Sequence, residues 1–96
     1  MPAYVIASVR SAHDQEALVE YRARNSEAVA DHGGRFLARG GAIEVLEGEW
    51  DPKRVVVMEF DDMDTARRWY GSDAYQAAIP IRRGASETDI ILVEGA

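Results

Sequence analysis

RVVVMEFDD, residues 54–62, decides the fold. Its β-branched and apolar run, closed by two aspartates, reads as a strand. Side chains alternate across a strand, so Val55, Val57 and Glu59 share one side and Val56, Met58 and Phe60 the other. A sheet with one face in water alternates apolar and polar residues. Here both sides are apolar, which predicts cover on both faces. Glu59 is the exception, a carboxylate in an apolar row. Buried without a partner it would cost several kcal/mol.

Working outward, 3–10 (AYVIASVR) and 88–95 (TDIILVEG) read as strands of the same two-sided kind. Between the first strand and Gly33-Gly34 the period changes. Leu18, Tyr21, Asn25, Ala28 and Val29 follow the three-and-four spacing of one helix face, with Ser11 or Asp14 able to cap its start. Residues 35–50 read as a strand interrupted at Gly40-Gly41 and then resumed, with a turn through Pro52. Beyond Phe60, Asp62 can cap a helical segment carrying Met63, Ala66, Trp69 and Tyr70. Ser72 can cap a second carrying Tyr75, Ala78 and Ile79, which Pro80 is expected to end or kink. The order β-α-β-β-α-β predicts an α+β, ferredoxin-like domain over residues 1–96: an antiparallel sheet with two helices on one face.

Helices cover only one face of such a sheet, and 96 residues leave no second layer for the other. The expected solution is a second copy packed sheet against sheet, a homodimer. Composition bounds the rest. Net charge is −6, which opposes nucleic acid or anionic membrane as partner. There is no Cys for disulfides or thiolate metal ligands. No apolar run approaches the roughly 20 residues of a membrane span, and MPAYVIASVR lacks the basic start of a secretory signal. The expected location is the cytoplasm. Arginine outnumbers lysine ten to one, which points to a GC-rich bacterial genome.

YRARNSEAVADHGGRFLARGG, VLEGEW, VVVMEF and WYGSDAYQAAIPIRRGASETDIILVEG together resemble the bacterial domain of unknown function 1330 family over nearly the whole chain. The resemblance implies a dimeric α+β barrel, the fold shared with small monooxygenases, muconolactone isomerase and haem-degrading enzymes. It transfers no reaction. Haem-degrading members resemble W-x-x-S-x-x-aromatic followed four residues later by His. Trp69, Ser72 and Tyr75 fit, but position 79 is Ile, so the axial ligand is missing. No cofactor and no metal is expected. His13 and His32 flank the first helix without metal spacing, and there is no HExxH, P-loop, GxGxxG or GxSxG.

The candidate chemistry gathers around Glu59. Arg39, in an apolar strand beside glycines, is its expected partner through a planar guanidinium fork. Glu59 and Arg39 are the candidate catalytic pair, a carboxylate base oriented by an arginine. Tyr21 and Asn25 lie one turn apart on the inner helix stripe. Trp69, Tyr70 and Tyr75 are expected to wall the cleft, and Arg82, in the segment that resembles the family, to anchor a ligand. Two functions follow. One is a small-molecule pocket between sheet and helices, suited to cofactor-free oxygenation or isomerisation. The alternative is a non-catalytic dimeric module in which Glu59 forms a structural ion pair.

Overall fold

The computed structural model describes all residues, 1–96. Strand β1 (Ala3–Ala12) is central and long. It pairs antiparallel with β3 (Arg54–Phe60) on one side and β4 (Ser86–Glu94) on the other, and β2 (Arg35–Arg39) completes the edge beyond β3. The order is β2-β3-β1-β4, all antiparallel, the split βαβ arrangement. Helices α1 (Gln15–Asp31), α2 (Met63–Gly71) and α3 (Asp73–Ala85) pack on one face. No helix is long and apolar enough to cross a membrane.

Each helix starts where its cap permits. Asp14 accepts from the Ala17 amide, Asp62 from Thr65 and Ser72 from Tyr75. Hydrogen bonds from Thr65 hold the Asp62 carboxyl below the usual carboxylate range. Helix α1 closes at His32, whose ring bonds the Ala28 carbonyl at 2.7 Å, and Gly33 follows with φ of 68°.

Two expectations need correction. Helix α3 does not end at Pro80 but continues to Ala85. Pro80 removes one backbone bond, yet Tyr75, Ala78, Ile79, Arg82 and Ala85 keep one buried stripe across it, and that burial outweighs the loss. The second half of the 35–50 strand does not form. After Gly40 no strand of the chain pairs with it, and residues 40–53 run as a long loop.

The register confirms the parity of RVVVMEF. Met58 lies between Val5 and Phe36, and Val57 between Ile6 and Ala38. The first row faces the helices, where Val5, Met58, Phe60, Val29, Trp69 and Tyr75 form the core. The second row faces away from them. There Tyr4, Ile6, Val55 and Val57 are only half-buried, and Ile91 and Val93 are exposed.

Gly34 sits where the backbone enters β2 against that core. A Cβ there would come 2.5 Å from a Phe60 ring carbon and 2.8 Å from Val29 Cγ1. Both neighbours are buried and cannot swing away. Gly34→Ala is therefore expected to destabilise by about 1–3 kcal/mol, read as a lowered urea midpoint at unchanged slope.

Candidate functional site

Glu59 does not meet Arg39. Glu59 stands directly opposite Arg35 across the β2–β3 ladder, on the open face of the sheet, and pairs with the Arg35 guanidinium. The Glu59 side chain is 13% exposed and that of Arg35 62%. The reason is register: β2 enters the ladder with Arg35 against Glu59, four residues before Arg39, and a bulge between Phe36 and Ala38 then aligns Arg39 with Val56 on the helix side. Arg39 lies over the Phe36 ring at 4.0 Å and donates to Ser26 Oγ at 2.6 Å.

On the helix side, between the sheet and helices α1 and α3, lies a cavity of about 430 Å³. Tyr21, Asn25, Arg39 and Arg82 all line it. Glu59, Trp69, Tyr70 and Tyr75 do not. Trp69 and Tyr75 are core residues, at 1% and 0% exposure, stacked with centroids 4.3 Å apart. Their polar tips are spent inside: Trp69 Nε1 donates to Asn25 Oδ1 at 3.1 Å, and the Tyr75 and Tyr21 hydroxyls share a bond of 2.8 Å. Tyr70 is exposed on the surface. The aromatic residues thus support the site from behind and do not form its walls.

Arg82 is the unusual group. It projects from the buried stripe of α3, is 8% exposed, and has no carboxylate within ion-pair distance. Its Nε is buried and has no hydrogen-bond partner in the protein. Its guanidinium carbon lies 5.9 Å from the centre of the Tyr21 ring. On its outer side it borders a shallow depression with Arg10, Tyr70, Arg83 and Glu87. Burial pushes the Tyr21 phenol well above its ordinary value, and Tyr75 adds to this while Arg82 opposes it. Tyr21 therefore stays a neutral phenol throughout the physiological range.

Sequence reasoning missed Arg22, Lys53 and Arg54, which also line the cavity. Parity was the available signal, because Arg54 shares the inward row with Val56 and Met58. Arg54 packs against Gly40, whose φ of 75° and missing Cβ leave it room. Desolvation, then the charges of Arg22 and Arg39, lower the pKa of Arg54. The lining contains no Asp, Glu or His. Such a lining suits the stabilisation of negative charge and offers no carboxylate base. No cluster of His, Cys, Asp or Glu could hold a metal.

Residues 2–96 match the family described as Domain of unknown function (DUF1330), and the chain belongs to that family. No curated protein matches it. Among solved structures, a protein of unknown function from Rhodopseudomonas palustris is similar at 18% identity and TM-score 0.77, over 99% of this chain and 82% of that one. A dimeric ferredoxin-like protein of unknown function from Jannaschia sp. CCS1 matches at 12% identity and TM-score 0.76, over 99% and 100%. SnoaB, a cofactor-independent oxygenase from Streptomyces nogalater, matches at 18% identity and TM-score 0.55, over 99% and 91%. At these identities the likeness is one of fold.

Proposed function

We propose that this member of the DUF1330 family is a homodimer whose protomers each bind a small acidic organic molecule in the cavity between the sheet and helices α1 and α3. The observation that carries the binding is Arg82, a buried residue whose Nε lacks a partner and whose charge meets no carboxylate, lining a cavity of about 430 Å³. Buried cations in proteins are nearly always paired, so a ligand acid is the natural counter-charge. That volume falls within the ordinary range for small-molecule sites.

The dimer rests on the open sheet face. Tyr4, Ile6, Val55, Val57, Ile91 and Val93 form one apolar surface there. The loop after β2 adds Ile43, Val45 and Trp50 at its margin, and Trp50 Nε1 donates to Ser8 Oγ on that face at 3.1 Å. A second copy covers this surface with its own; the dimeric state of the Jannaschia protein supports a dimer, and the apolar face supports this placement of it. In the dimer the Glu59–Arg35 pair lies at or near the interface, where it fixes alignment and performs no chemistry. Oxygenase-like turnover has narrower support: the fold of the Streptomyces enzyme and the ability of Arg82 and Tyr21 to stabilise an oxyanion.

Analytical ultracentrifugation at micromolar concentration is expected to show a dimer, and a monomer alone would remove that half of the proposal. In a thermal-shift screen, small carboxylic acids are expected to raise the melting temperature while their neutral esters and amides do not. Stabilisation by the neutral compounds alone would count against Arg82 as the anchor.

A further inference from the structure

The structure assigns the cavity a narrower ligand class: an elongated organic dianion, held by an acidic group at each end with an apolar body between. This rests on the reading of the cavity as a binding site. Five cationic side chains line it, Arg22, Arg39, Lys53, Arg54 and Arg82, and none of its lining residues is acidic. The chain as a whole carries a net charge of −6, so chance does not favour such a set. Only Lys53 among them has a carboxylate neighbour, Asp51 at 3.3 Å.

The cations stand in two places. Arg39 comes from β2, Arg54 opens β3 with Lys53 just before it, and Arg22 reaches in from α1; Arg39 Nη2 lies 3.4 Å from the Arg22 carbonyl oxygen, and Arg54 packs against Gly40, the residue after Arg39. Gathering like charges raises the free energy of the apoprotein, and an acid bound among them relieves it. Arg82 stands apart, near Tyr21 and beside Ser86 and Thr88 of β4. From β2 to β4 the sheet crosses three strand spacings, about 14 Å of width. Between the two stations the sheet floor is apolar, Ala7 and Val9 of β1 and Val56 and Met58 of β3, while α1 contributes Leu18 together with the polar Gln15 and Asn25. A compact monoanion would satisfy one station and leave the other uncompensated. A molecule with acids at both ends satisfies both and lays its carbon skeleton on the apolar floor.

The test is isothermal titration calorimetry with α,ω-dicarboxylates from glutarate to sebacate and with naphthalene-2,6-dicarboxylate. Each is compared with its monomethyl ester and its neutral diester. The expected result is an optimum chain length at which the diacid binds at least tenfold tighter than the monoester. Arg54→Gln should then remove most of the diacid's advantage over the monoester, with Arg22→Gln as the second variant if the first is poorly folded by circular dichroism. Equal binding of diacid and monoester, or equal weakening of both by Arg54→Gln, overturns the dianion while leaving a single-anchor pocket standing. Failure of acids, monoesters and diesters alike overturns the pocket itself.

Discussion

Arg82→Met is expected to stabilise the unliganded protein by about 1–3 kcal/mol and to weaken binding of a small carboxylate at least a hundredfold. The two effects share one cause. Arg82 is 8% exposed, its Nε has no partner, and no carboxylate of the chain compensates its charge. Holding a charge out of water costs several kcal/mol, and a methionine of similar length fills the same space without that cost. Ala78, Ile79 and Ala85, which share the buried stripe of α3, would accept the thioether. The ligand loses its ionic contact, and the fold loses a liability. Opposite signs in stability and affinity are what a site residue retained for function produces. A structural arginine would behave differently: its removal would lower the urea midpoint. Denaturation of the apoprotein and calorimetry with naphthalene-2,6-dicarboxylate, each on wild type and variant, read both quantities. A destabilised Arg82→Met with unchanged affinity would place Arg82 in the scaffold.

Val57→Glu is expected to split the proposed dimer, raising its dissociation constant at least a thousandfold while each protomer remains folded. Val57 lies in the middle of the open face, in a cross-strand row with Ala38, Ile6 and Ile91. It is only half-buried in the protomer, so a glutamate there keeps its water until a second copy arrives. Twofold symmetry then places two such carboxylates in one interface, each facing desolvation without a partner. At several kcal/mol per charge this exceeds the roughly 4 kcal/mol that a thousandfold change represents. Sedimentation velocity across a concentration series measures it, with near-unchanged circular dichroism as evidence that the protomer persists. A variant that still sediments as a dimer would mean that the open sheet face is not the interface.

The fold was legible because strand parity and helical spacing are local. Val56, Met58 and Phe60 had to face one way and Val57 the other, and the ladder places them so. What defeated local reading was non-local. Whether residues 41–50 complete a strand depends on a neighbour, and no other strand of the chain runs beside them. The partner of Glu59 depended on the register of β2, which sets Arg35 against it, and a bulge beyond Phe36 turned Arg39 to the opposite face. The aromatic cluster was misplaced for a simpler reason: helical spacing shows that Trp69, Tyr70 and Tyr75 project from adjacent turns, but not whether a cavity or a core lies beneath them. Four of the eight candidate residues, Tyr21, Asn25, Arg39 and Arg82, share one cavity. The carboxylate that drew most notice lies on the other face of the sheet.

The separation of charge between the cavity and the rest of the surface has a consequence for what can approach this protein. A large polyanion meets the outside first and is met by a net charge of −6. That repulsion is screened over about 8 Å at physiological ionic strength. A small anion that enters leaves the repelling field behind and passes into one of opposite sign. If the cavity binds acids as proposed, the molecule should therefore select among anions by size, disfavouring polymers and admitting metabolite-sized acids, with the acidic exterior serving the selectivity of the basic interior.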